Sequence, residues 1–135
     1  MPKLFHILTA LPAMIYLGDQ FTIHGAVPSK SNSYKIITIG GHASLAKQKV
    51  LVAYERAFAL QCPLRGEDLQ RRFRLDIDVY FSSDRNDLDN ALKAVLDCLQ
   101  GCKAIHNDRL CVEIHARKLV DKGNPRCVMT ITPLE

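Results

Sequence analysis

The stretch Phe73–Gly101, FRLDIDVYFSSDRNDLDNALKAVLDCLQG, decides the fold. Phe73, Leu75, Ile77, Val79 and Phe81 alternate with Arg74, Asp76, Asp78 and Tyr80. Apolar side chains at every second position belong to a half-buried strand. Ser82–Asn86 connect it to a different period. Leu88, Ala91, Leu92, Val95, Leu96 and Leu99 recur at helical spacing and share one face. Asp87 stands at the N-cap position of that helix, and Gly101 stands where a C′ glycine would end it.

Outward from this core, Ile105–Arg109 reads as a turn. Leu110, Val112, Ile114 and Ala116 alternate with Cys111, Glu113, His115 and Arg117, which gives a further strand. Asp121–Pro125 is a hairpin-like loop, and Cys127–Thr132 is the last strand. Upstream, Phe21–Ala26 is a short strand, Pro28–Ser33 a turn-rich connection and Tyr34–Ile39 a β-branched strand closed by Gly40-Gly41. Ser44 is the expected N-cap of a first helix, with Ala46, Val50, Ala53, Tyr54, Ala57 and Phe58 at helical spacing. That helix should stop near Cys62-Pro63, because proline disfavours helix at the residue before it. Arg65–Arg72 is polar loop. The order is β-β-α-β-α-β-β, an α+β plan with a mixed sheet packed by two helices.

A chain of 135 residues is one compact domain. Residues 21–135 form it, and residues 1–20 are an N-terminal extension. Leu4–Leu17 is mostly apolar, but His6, Thr9 and Pro12 interrupt it, and it is too short to cross a bilayer. Lys3 alone gives no signal-peptide pattern. The segment reads as a core-covering or loosely attached extension, with a start at Met14 as the alternative. The net charge of +4 is a mild basic excess, which suits a polyanion without singling one out. Five cysteines, an odd number with no Cys-x-x-Cys, point to reduced thiols and a cytoplasmic protein.

The chemistry concentrates around the second helix. Asp87 is at its cap, Asp89 in its first turn, Lys93 one turn on and Asp108 in the loop beyond it. At a non-helical cap, Asp87 is free to converge with Asp89, and Asp108 could come back alongside both. Oxygen ligands suit hard divalent cations, and Mg²⁺ is usually held by one or two carboxylates with phosphate and water. Lys93 could stabilise charge on a scissile phosphate. Simpler roles exist for each: a cap worth about 1 kcal/mol for Asp87, an i,i+4 pair worth roughly 0.2–0.5 kcal/mol for Asp89 and Lys93, and a turn for Asp108.

The run Asp87-Leu88-Asp89-Asn90, followed by Lys93 and Asp97, resembles the D-L-D-N-x-x-K-x-x-x-D signature of the RusA family of Holliday junction resolvases. Pro28-Ser29-Lys30-Ser31-Asn32-Ser33-Tyr34 resembles that family's P-S-x-N-x-Y motif, and Ile105–Arg109 its downstream acidic turn. The likeness runs from about Phe21 to the C-terminus. It implies a RusA-like fold and a homodimeric endonuclease that resolves four-way junctions by paired symmetric nicks in DNA recombination and repair. It also implies Mg²⁺, with Mn²⁺ as the alternative ion, and a bacterial or phage-encoded source. Asp87, Asp89 and Asp108 would be the essential metal-binding acids, and Lys93 the catalytic lysine. The chain departs from the pattern twice. Asp84-Arg85-Asn86 carries one arginine where a longer basic run is usual, and Asn107 replaces the first of two adjacent acids.

DNA contact would fall to Lys30, Lys35, Arg85, Lys103, Arg109 and Arg117, each of which is otherwise a solubilising charge. Asp76 and Asp78 share a polar strand face and read better as solvated residues than as ligands. Cys98, Cys102, His106, Cys111 and His115 carry zinc-ligand chemistry, but Gly101 and the helix end break their shared face, so free thiols are the better reading. The competing functions are a non-catalytic branched-DNA binding protein and a related nuclease acting on flaps or forks.

Overall fold

A computed structural model describes residues 16–29 and 34–135. Most of the expected N-terminal extension, Lys30 and the rest of the Pro28–Ser33 connection beyond Ser29 lie outside the described residues. At the described end of the extension, Leu17 packs on the core and Gly18 N–H donates to Ile131 C=O at 2.9 Å.

The elements are β1 (Phe21–His24), β2 (Tyr34–Ile39), β3 (His42–Lys47), α1 (Lys49–Gln61), β4 (Phe73–Phe81) and α2 (Leu88–Gly101). A 3₁₀ turn (Asp108–Leu110), β5 (Cys111–Val120) and β6 (Arg126–Pro133) complete them. The main sheet has the order β1-β6-β4-β5, and β2 with β3 forms a separate ribbon. β4 pairs antiparallel with β6 and parallel with β5, so the sheet is mixed and the fold is α+β. On β4 the alternation is complete: all five odd-numbered residues are buried, and Arg74, Asp76, Asp78 and Tyr80 are half-buried on the other face. The core lies on the first face, where Tyr54 and Phe58 of α1 and Ala91, Val95 and Leu99 of α2 join Leu75, Ile77, Val79, Met129 and Ile131.

The first helix departs from expectation. Residues 42–47 are a strand, so Ser44 is not its N-cap and Ala46 is not in it. Gly40 and Gly41 take φ of +57° and +83°. Those values suit the two-residue type I′ turn that joins right-twisted strands. The turn sets Ile39 opposite His42 and Tyr34 opposite Lys47. The backbone bonds of this ladder override the helical spacing. α1 begins after Gln48, whose side chain makes no capping bond, and buries Leu51, Tyr54 and Phe58, while Val50 is 48% exposed. It ends at Gln61, as the proline at position 63 requires. β1 is shorter than expected, because Gly25 at φ +115° breaks it.

The end of α2 also moves. Gly101 remains helical, and Lys103 takes the left-handed C′ position at φ +63°. Ala104 N–H donates to Leu99 C=O at 2.9 Å and Lys103 N–H to Gln100 C=O at 3.1 Å. This is the paired bonding of a Schellman motif. Burial of Ala104 and Ile105 behind the helix pulls the turn to this place. A lysine there carries a steric penalty that glycine lacks. Lys103→Gly is expected to raise the unfolding free energy by roughly 0.5–1 kcal/mol, the left-handed penalty less glycine's extra chain entropy. Urea melts would check it, and an unchanged or lower midpoint would contradict it.

Candidate active site

β4 delivers the chain to the start of α2 through Ser82–Asp87. Ser83 orders this loop: its hydroxyl accepts from Arg85 N–H and donates to Asn86 Oδ1, both at 3.3 Å. Lys118 of β5 clamps it from the side, with Nζ 2.8 Å from Asp84 C=O and 3.4 Å from Asp84 Oδ1. The loop borders a cleft of about 680 Å³ lined by Val27, Pro28, Ser29, Phe81, Ser83 and Arg85, then by Asn86, Asp87, Asn90 and Ala91. The structure thus brings Pro28-Ser29, Asp87 and Asn90 to one cavity.

Asp87 has the extended backbone of an N-cap (φ −95°, ψ 130°), but its side chain makes no capping bond. Its Oδ2 instead accepts from Asn90 Nδ2 at 3.4 Å. Asp89 and Lys93 are exposed and make no ion pair with each other, so the i,i+4 pair is not formed. The start of α2 therefore presents two carboxylates, first-turn amides without a side-chain cap and, one turn on, an ammonium group that makes no ion pair among the described residues. Helix N-termini with unspent amides attract phosphate.

Asp108 is elsewhere. Because β5 runs parallel to β4 and starts beside Phe73, the turn before it sits at the end of the sheet opposite Asp87. Asp108 N–H donates to Oε1 of Gln100, near the last turn of α2, at 2.9 Å. Thirteen residues of helix separate Gln100 from Asp87, about 20 Å at 1.5 Å per residue. Among the described residues, no three His, Cys, Asp or Glu side chains gather to hold one ion. The expectation that Asp108 returns to Asp87 and Asp89 within one chain is not met. As donors the acids fit Mg²⁺, being hard oxygens, and a pair from one helix start meets its usual protein share. The third acid does not join them in a single chain.

Asp108 has other company, Asp97 of the signature run and Glu55 of α1. Partial burial raises the pKa of Asp97 on α2, and the charges of Asp108 and then Glu55 on α1 raise it further, while Lys47 opposes them. Lys47 Nζ holds Glu55 at 3.0 Å. The i,i+4,i+8 spacing of Asp89, Lys93 and Asp97 was the available signal for Asp97. Nothing local marked Glu55.

Among the candidate DNA contacts, Lys35, Arg85, Lys103 and Arg109 are exposed, and Arg85 lies at the cleft. Arg117 is committed: Nε and Nη2 hold both oxygens of Asp78 at 2.9 and 2.8 Å, and this pairing keeps the Asp78 carboxyl below the usual range. Asp76 is paired to Arg74 at 2.8 Å. Neither strand acid is simply solvated, and neither belongs to a metal cluster. Cys98 and Cys102 are buried, burial pushes the Cys98 thiol up to about 12, and His106 bonds Asp68 at 3.1 Å.

The sequence profile described as Endodeoxyribonuclease RusA matches residues 26–132. The chain belongs to the RusA endodeoxyribonuclease family. The matched span holds Pro28-Ser29, the start of α2 and the Asp108 turn. A relative, the crossover junction endodeoxyribonuclease RusA of Aquifex aeolicus (strain VF5), is 29% identical over 72 residues, 53% of this chain. The match spans 57% of that relative's length.

Asp97 yields a stability prediction. A carboxyl whose folded pKa is raised costs stability when ionised, and that cost disappears below its unfolded pKa near 3.8. Asp97→Asn is expected to raise Tm at pH 7. The gain should shrink as pH falls through the carboxylate range and vanish below about pH 3.8. A pH-independent difference in thermal melts would refute the assignment.

Proposed function

We propose that the chain is a Mg²⁺-dependent endonuclease that resolves four-way DNA junctions by paired symmetric nicks, acting as a homodimer in the cytoplasm during recombination and repair. The observation that carries this reading is the start of α2. Asp87 lines an open cleft and Asp89 follows it in the first turn, and among the described residues neither forms an ion pair, in a chain whose strand acids Asp76 and Asp78 are both paired to arginines. Family membership supplies the reaction class.

Asp87 and Asp89 would hold Mg²⁺. When bound, the ion polarises a phosphoryl oxygen and activates water. The free amides of the first turn orient the scissile phosphate, Lys93 meets the charge that grows on it, and Arg85 at the cleft holds a neighbouring phosphate. The remote position of Asp108 fits a two-fold dimer in which each site combines Asp87, Asp89 and Lys93 of one chain with the partner subunit's Asp108. It also fits the competing reading of a branched-DNA binding protein that does not cut.

Two experiments separate these. Asp89→Asn should lower Mg²⁺-dependent cutting of a labelled synthetic junction by about 100-fold or more, yet keep salt-sensitive junction binding. Cutting at the unaltered rate by this variant would end the assignment.

The second mixes inactive Asp89→Asn and Asp108→Asn chains. If each site is shared between chains, the mixed dimers keep one intact site and single-strand nicking returns. If all three acids act within one chain, both sites of every mixed dimer are defective and nicking stays absent.

A further inference from the structure

The row of β5 that lies level with the core residues of β4 is broken by one charge. Ile114 is level with buried Leu75, Ala116 with Ile77 and Val120 with Phe81, and paired residues on neighbouring strands point to the same face. Lys118 stands in this row beside Val79, which is fully buried. A lysine on an outer strand ordinarily blunts the edge. Lys118 is used differently. Its side chain is 32% exposed, and its ammonium group lies 2.8 Å from the Asp84 carbonyl and 3.4 Å from the Asp84 carboxylate.

Asp84 belongs to the irregular stretch between β4 and α2 that ends at Asp87. The two ends of this stretch are anchored. Asp121 N–H donates to Phe81 C=O at 2.8 Å, and Ala91 N–H donates to Asp87 C=O at 3.3 Å as α2 begins. Between them, the bonds of Ser83 to Arg85 N–H and Asn86 stay within the loop. Among the described residues, the contacts made by Lys118 are those that tie residues 82–86 to another element. Arg85 and Asp87 line the cleft, and Lys118 does not. Its route to the chemistry therefore runs through the loop.

We propose that Lys118 is a positioning residue of the active site, holding the Asp84 carbonyl and so fixing the loop that presents Arg85 and Asp87 to the cleft. The reaction it serves rests on the nuclease reading above; the hold itself is a property of the loop. The carbonyl is the principal partner. It is the nearer oxygen, and the Asp84 side chain is 92% exposed, where an ion pair adds little. The ammonium group also offsets an acid that stands next to Arg85 and would repel phosphate. A fixed loop matters because a misplacement of about 1 Å at a reacting centre can cost roughly 100-fold in rate.

The test compares Lys118→Met with the unaltered protein, since methionine keeps the length of the side chain and suits the apolar row. Its thermal midpoint should be unchanged or higher. Hydrogen exchange of the peptide covering residues 82–87, read by mass spectrometry without DNA, should speed up about tenfold while the interiors of β4 and α2 stay as they were. Mg²⁺-dependent cutting of a labelled junction should fall roughly 30-fold. Junction affinity should stay within about threefold and keep its salt slope, because Lys118 touches no phosphate. Lys118→Arg, which retains a cationic donor, should restore the loop's slow exchange and most of the rate. Unchanged loop exchange in Lys118→Met, or a loosened loop that still cuts at the full rate, overturns the proposal. So does a salt slope reduced by about one, which would make Lys118 a phosphate contact instead. If the unaltered protein cuts no branched DNA, the nuclease reading fails, and the exchange comparison alone decides whether Lys118 fixes the loop.

Discussion

The parallel pairing of β4 with β5 is the constraint on which the rest of the molecule depends. Parallel neighbours need a crossover, and here α2 is that crossover. A helix that returns the chain from the end of one strand to the start of the next has its two ends at opposite ends of the sheet. Everything near the start of α2 then faces one way, and everything after its end faces the other. The cleft with Asp87 and Asn90, and Asp89 in the same first turn, belong to the first end. Gln100, Lys103 and Asp108 belong to the second. The same pairing leaves β5 as an outer strand, because β6 occupies the other side of β4.

Charge is distributed unequally over this frame. On the open face of the sheet, Arg74 of the same strand holds Asp76 and Arg117 of β5 holds Asp78 at hydrogen-bond distance. Such pairs add little stability at an exposed surface, but they neutralise the face and fix side-chain direction. At the start of α2 the opposite holds. Asp87 leaves the amides uncapped, and Asp89 and Lys93 do not pair although they are one turn apart. A cap forgone costs about 1 kcal/mol. Between α1 and α2, Asp97 bears a second cost, since its carboxyl is raised by burial and by the neighbouring acids Asp108 and Glu55. Among the described residues, the strand acids Asp76 and Asp78 are paired to arginines, whereas Asp87, Asp89 and Asp108 make no ion pair.

How much of this was legible depends on where the signal resides. β4 and α2 were readable because each buries one face, and burial writes a period into the chain. The His42–Lys47 strand was not. HASLAK has weak strand propensity, and Ala46 and Val50 fit a helix equally well, so only pairing with β2 makes the segment extended. Gly101 looked like a helix end because glycine suits that position, but burial of Ala104 and Ile105 moved the turn to Lys103. In the candidate site, the uncommitted acids Asp87 and Asp89 were legible from their spacing, and the place of Asp108 was not. Alternation in β5 is the same whether the strand runs with β4 or against it. Direction is decided by the crossover, and direction determines which end of the sheet receives Asp108.

Under the proposed reading, the separation of the acids would make chemistry conditional on assembly. In the proposed dimer, a lone chain holds an incomplete acid set, so loose chains in excess of DNA would nick nothing. A two-fold axis creates two equal sites at once and spaces them at a fixed distance, which matches a substrate whose scissile strands are themselves related by two-fold symmetry. A flexible pair of nucleases could cut the two strands in independent encounters and leave a junction half-resolved. In the proposed two-fold dimer, both sites would be held against one junction until both cuts are made.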